Sequence, residues 1–197
     1  LDIRGAGDIL GADQSGFIAD IGFETYQKIL NEAILELQDE SGESAENAAI
    51  VERECMLETD LGLLFPSDYV ASLSERMSLY KELDHIRTDE ELEKYRAKLL
   101  DMFGALPHAT EELLKTIPLR RKAAALYFDK IVLKKSTLIG YFIENSNAAF
   151  YQSTLFGNIL TFMQKHFPTT QIKEVNNKLV LYIHNVKSIH QALEWMK

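Results

Sequence analysis

A nine-residue run, Asp39-Glu40-Ser41-Gly42-Glu43-Ser44-Ala45-Glu46-Asn47, constrains this chain more than any other feature. It contains no large apolar side chain and four carboxylates, so it has nothing to bury and its charges repel one another. Residues 39–50 therefore read as a flexible acidic linker, and folded structure is expected on either side of it. Upstream, residues 1–22 carry Gly5, Gly7, Gly11, Gly16 and Gly22. That density calls for several turns rather than one long element. From Phe23 the period changes. Phe23, Tyr26, Leu30, Ala33, Ile34 and Leu37 fall on one helical stripe, which predicts a connecting helix over 23–38.

Downstream, residues 51–197 are expected to form the main domain. Val51, Arg53, Cys55 and Leu57 alternate with Glu52, Glu54, Met56 and Glu58, an imperfect alternation that predicts an edge strand over 51–58. Pro66-Ser67-Asp68 predicts a helix start, with Val70, Leu73, Met77 and Tyr80 turned inward. Thr88 with Glu91 three positions on is a capping-box pattern. It opens a helix carrying Leu92, Tyr95, Leu99 and Phe103, closed by Gly104 with Pro107 just beyond. A further helix from Pro107 to about Phe128 is expected to kink or break at Pro118. In the last third, Ile131–Lys135 and Leu138–Ile143 read as paired strands and Ser153–His166 as a helix. Gln171–Val175 and Lys178–Ile183 read as a hairpin around Asn176-Asn177, and Ser188–Met196 as a terminal helix. The β-β-α-β-β-α order predicts a small, mostly antiparallel sheet with helices on one face. The fold class is α+β, rich in helix.

Composition narrows the function. With 197 residues, 46% of them apolar, the chain is long enough to bury a core without staples. No apolar run reaches the roughly 18 residues of a membrane-spanning helix. A single cysteine, Cys55, precludes an internal disulfide and fits a reducing compartment. The net charge of −9 disfavours phosphate binding by the whole domain and favours a basic protein partner. The densest basic group is Lys115, Arg120, Arg121 and Lys122, followed by Lys130, Lys134 and Lys135. It fits a solvated face, and the alternative it leaves open is a nucleic-acid-binding accessory module using the residues near 115–135. The five histidines lack metal-ligand spacing, and HExxH, GxSxG and the GxxxxGK[ST] phosphate loop are absent. Gly5-Ala6-Gly7-Asp8-Ile9-Leu10-Gly11 misses a dinucleotide fingerprint because its third glycine falls one place late. No catalytic residues, metal ligands or cofactor of this chain's own are expected. The chain also opens in mid-pattern without methionine, and it reads as a fragment of something longer.

The opening string Leu1-Asp2-Ile3-Arg4-Gly5-Ala6-Gly7-Asp8-Ile9-Leu10-Gly11-Ala12-Asp13-Gln14-Ser15-Gly16 resembles the segment after the second motor domain in RecG-type DNA translocases. With residues 17–37 the resemblance narrows to the bacterial transcription-repair coupling factor (Mfd) family. Pro66-Ser67-Asp68-Tyr69-Val70, Arg76-Met77-Ser78-Leu79-Tyr80-Lys81 and Met102-Phe103-Gly104-Ala105-Leu106-Pro107 follow in the family's order. The resemblance implies that residues 1–22 are the end of the translocation motif, a hook segment. Arg4, Gly5, Gly7, Gln14 and Gly16 would then be coupling-motif residues, with Arg4 and Gln14 relaying motor closure toward DNA. It implies that residues 51–197 are a C-terminal regulatory domain, an autoinhibitory clamp on an N-terminal UvrB-like domain of the same protein. It further implies a cytoplasmic parent protein that uses ATP and Mg and binds double-stranded DNA, RNA polymerase and UvrA, but no membrane. The family's contact helix resembles Leu92–Gly104. Asp101 matches its usual acid and is the candidate partner-interface residue; Lys98 stands where a Glu is common and Met102 where an Arg is common.

Overall fold

The computed structural model describes residues 54–143, 148–176 and 178–197. The hook segment, the connecting helix and the acidic linker expected upstream lie outside the described residues. The described part of 51–197 forms two compact units, one of residues 63–111 and one of residues 54–62 with 112–197.

In the first unit, α1 spans Leu73–Asp84 and α2 spans Asp89–Phe103, and α3, which spans His108–Ala125, contributes its first residues. The helix expected to open at Pro66 opens instead at Leu73. The amides of Tyr69 and Val70 both bond to the Pro66 carbonyl (3.1 and 2.9 Å), closing a turn, and Ser72 in extended backbone is the N-cap, accepting from the Glu75 amide. Arg76 Nη1 donates to the Val70 and Ala71 carbonyls at 2.6 and 3.1 Å, so these groups are held by a side chain rather than by a helical turn. The inward face of α1 is correspondingly Arg76, Leu79, Tyr80 and Leu83, with Leu73 and Met77 only half-buried. Tyrosine hydroxyls tie the unit together. Tyr80 accepts from the Phe65 amide at 2.9 Å, and Tyr95 of α2 donates to the Leu79 carbonyl at 2.7 Å.

The second unit is built on a five-stranded sheet in the order β1-β2-β3-β5-β4. The strands are β1 Met56–Thr59, β2 Phe128–Lys134, β3 Thr137–Phe142, β4 Thr170–Val175 and β5 Lys178–His184. The expected first strand begins at Met56 and is an edge strand, as its alternation implied. It pairs parallel with β2, while all other pairs are antiparallel. Both hairpins form, and their turns use positive φ at Lys135 and Ser136 and at Asn176. α4 (Ala148–Tyr151), α5 (Thr154–Lys165) and α6 (Ile189–Trp195) complete the unit. α4 was not expected from the sequence. α3 runs unbroken through Pro118 and stops at Ala125, because Phe128 already belongs to β2.

One face of the sheet is core. Ile131, Leu133, Leu138, Phe142, Leu181 and Ile183 are buried on it. Phe142 contacts Phe150 of α4 and Phe156 of α5, each with ring centroids 5.8 Å apart. The opposite face carries Lys130, Lys134, Tyr141, Lys173 and Tyr182, half-buried or exposed.

Candidate functional site

The contact surface indicated by the sequence, the end of α2, is built wholly within the first unit. α2 begins as its capping box requires. Thr88 Oγ1 accepts from the Glu91 amide at 3.2 Å, and Glu91 Oε2 accepts from the amides of Thr88 and Arg87 at 3.1 and 2.8 Å. The bonds from the Arg87 and Thr88 amides hold the Glu91 carboxyl below its ordinary pKa. At the far end Gly104 takes φ +83°, a left-handed conformation natural to glycine, and its amide returns to the Leu100 carbonyl at 3.0 Å. The Tyr69 hydroxyl donates to the carbonyls of Leu99 and Gly104 (3.3 and 3.2 Å), and its ring packs on Phe103 with centroids 5.6 Å apart. Burial, with a smaller contribution from the Glu111 carboxylate, raises the Tyr69 pKa and keeps that donor protonated.

This pinned last turn faces two ways. Tyr95 and Leu99 point into the unit. Leu100, Asp101 and Met102 point outward, with Leu100 46% and Met102 50% exposed. Two large apolar side chains thus flank a carboxylate on a rigid turn. No basic residue occupies the last turn of α2, so Asp101 sits against the negative end of the helix dipole with no cation in that turn. Lys98 Nζ lies 2.5 Å from Glu82 Oε2, and Arg96 Nη2 lies 2.6 Å from Glu111 Oε1. These two cations are bound to the unit's own acids. The arrangement suits recognition of a surface that offers an apolar recess beside a cation; it supplies no nucleophile or acid–base pair.

The sequence reading picked out Asp101 and missed its neighbours. The signal for them was present, because Leu100 and Met102 fall off the stripe of Leu92, Tyr95, Leu99 and Phe103 that packs inward. Arg4, Gly5, Gly7, Gln14 and Gly16 lie outside the described residues. Elsewhere, Cys55 is buried and desolvation pushes its thiol pKa up to about 12, so it remains a neutral core group. Among the described residues no group of three or more His, Cys, Asp or Glu side chains is placed to hold a metal ion, and no helix is long and apolar enough to cross a membrane.

Comparison with known proteins places the chain in a family. Residues 59–153 match the TRCF domain family. A transcription-repair-coupling factor of Haemophilus influenzae is 37% identical over 120 residues, covering 61% of this chain and 10% of that protein. The Escherichia coli K12 protein of the same name is 34% identical over 131 residues, covering 66% of this chain and 11% of that protein. The Buchnera aphidicola protein is 29% identical over 200 residues, covering 100% of this chain and 23% of that protein. The chain thus spans about a tenth of the length of the first two relatives. A crystal structure of the C-terminal domain of a transcription-repair coupling factor has the same fold, with a TM-score of 0.59 at 16% identity, over 75% of this chain and 91% of that one. By the domain family it matches and its sequence relatives, this chain belongs to the transcription-repair-coupling factor family.

Proposed function

We propose that the chain is a regulatory interaction region of an ATP-dependent DNA translocase that couples transcription to nucleotide excision repair. In this reading the end of α2 docks on an N-terminal UvrB-like domain of the same protein. It thereby covers the surface that recruits UvrA, as an autoinhibitory clamp. ATP and Mg, double-stranded DNA and RNA polymerase are engaged by other parts of that cytoplasmic protein. Residues 1–22 contribute the end of the translocation motif, where Arg4 and Gln14 transmit motor closure and Gly5, Gly7 and Gly16 permit the hook's turns.

The observation that carries this reading is the outward display of Leu100, Asp101 and Met102. An acid at a helix C-terminus is mildly unfavourable for the helix itself, and two exposed large apolar neighbours gain nothing from water. A docking partner explains all three.

The test is calorimetric titration of the chain against the isolated UvrB-like domain, with duplex DNA as control. Binding to the protein and not to DNA is expected. Asp101→Lys is expected to weaken that binding about tenfold, at the scale of a lost charge-assisted contact. The same variant leaves the melting temperature unchanged or slightly higher, since lysine is favoured where Asp101 stands. Full affinity in the variant removes Asp101 from the interface, and absence of binding to the domain refutes the clamp.

A further inference from the structure

Among the described residues, β4 lies at one margin of the sheet with no strand paired beyond it. The His184 amide donates to the Thr169 carbonyl at 2.9 Å. Hydrogen-bonded pairs alternate along an antiparallel ladder. With the observed register, Gln171, Lys173 and Val175 therefore turn their backbone groups toward β5, while Ile172 and Glu174 turn theirs away from it. Apolar surface lies beside this open edge. Phe167 is 73% exposed and Leu160 36%, and both line a shallow concavity with the half-buried Ile172. An open edge next to exposed apolar side chains is a template for another strand.

Geometry and charge limit how β4 can pair with itself. An antiparallel pair of identical strands is related by a two-fold axis perpendicular to the sheet, so residues of one face meet residues of the same face. Centring the axis on Lys173 sets two ammonium groups opposite each other, and centring it on Glu174 sets two carboxylates opposite, both unfavourable. Centring it on Ile172 sets Ile172 against the partner's Ile172, Gln171 against the partner's Lys173, and Thr170 against the partner's Glu174. No like charges then meet, and the outward backbone groups fall in register to bond. We propose that the β4 edge is a homodimer interface centred on Ile172. The two sheets join into one across the axis, and Leu160 and Phe167 of both copies flank the isoleucine pair.

Sedimentation equilibrium of the whole chain tests this over roughly 1–100 μM, the range in which weak self-association is read. A concentration-dependent dimer is expected. Ile172→Cys is expected to oxidise to a disulfide-linked dimer, because directly opposed residues of a bonded pair lie within about 5.5 Å between Cα atoms. Glu174→Cys, displaced from the axis on the same face, serves as the control and stays unlinked. Gln171→Glu, which would face the partner's Lys173 on both sides of the axis, is expected to tighten the dimer about threefold. Ile172→Lys is expected to loosen it about tenfold while circular dichroism stays unchanged, the scale of a like-charge pair replacing an apolar one. A dimer indifferent to these variants overturns the proposal. So does a chain monomeric throughout, with fast-exchanging Ile172 and Glu174 amides, which would leave the edge to a strand from another protein.

Discussion

Glu112 is a buried carboxylate that joins residues far apart in the sequence. Its Oε2 accepts from the amides of Ile189 and His190 at 2.6 and 3.2 Å, and its Oε1 accepts from Lys115 Nζ at 3.0 Å. Burial alone would raise its pKa, but the Lys115 ammonium and these two amides outweigh that effect and leave it below the ordinary value of 4.5. A depressed native pKa stabilises the fold above the unfolded value and loses that contribution as pH falls through the native one. Glu112→Gln is therefore expected to cost about 1.5–3 kcal/mol near neutral pH, the range for hydrogen bonds to a charged group. Urea titrations of the two proteins should differ most near neutrality and converge as pH falls from 4.5 through the depressed native pKa, where the wild-type carboxyl is protonated as well. A difference independent of pH would show that the anion is not what matters. Nothing in the sequence marks Glu112 apart from Glu111 beside it. Its two amide partners, Ile189 and His190, lie more than 70 residues away, beyond the reach of local pattern.

Elements whose ends are set by near neighbours were readable in the sequence. Thr88 and Glu91 open α2 and Gly104 closes it, each through bonds within four residues. The start of α1 misled because two start signals compete, the proline at 66 and the serine at 72, and a buried Arg76 decides between them through the carbonyls it binds. α4, at four residues, is too short to show a period, and the parallel pairing of β1 with β2 joins Met56 to Lys130 across most of the unit. The candidate site divides in the same way. Its acid was legible from the motif at the end of α2, but the exposure of Leu100 and Met102 required the packing direction of the helix, and the self-complementary edge required the strand order. Gly140 on β3 is a further element-scale case. A Cβ there would stand 2.5 Å from the ring of Phe128, which is itself buried and packed on Phe142 with centroids 4.4 Å apart. Gly140→Ala is expected to cost about 1–3 kcal/mol as an overpacking change. Calorimetry should show the melting temperature falling by about 2–4 °C for each kcal/mol. An unchanged melting temperature would mean that the aromatic cluster yields to the added methyl.

Across the whole molecule, the net charge of −9 hides an uneven distribution. Residues 1–53 hold twelve acids against three bases, and the unit of 63–111 holds ten acids against six bases. The described residues of the other unit hold twelve bases against seven acids, a surplus of five positive charges. That surplus is where a nucleic-acid module would have to reside, yet much of it faces acids of its own unit. Lys115 pairs with Glu112, Arg120 with Glu54, and Lys130 and Lys134 both with Glu58. The two lysines on Glu58 hold that carboxyl below its ordinary pKa, so it stays ionised and keeps competing with phosphate. Each phosphate neutralised on duplex DNA contributes about 0.9 to the log–log dependence of affinity on salt. With these pairs intact, four of the twelve cations are already engaged by acids of their own unit, and the chain's net charge of −9 opposes phosphate binding by the rest. Any duplex binding by the chain is expected to show a slope no steeper than about −2 and a dissociation constant weaker than about 100 μM at physiological salt. Fluorescence anisotropy of a labelled duplex across a salt series measures both. A slope near −5 would mean that the ion pairs open toward DNA, and it would move the functional surface from the end of α2 to the basic residues of the sheet unit.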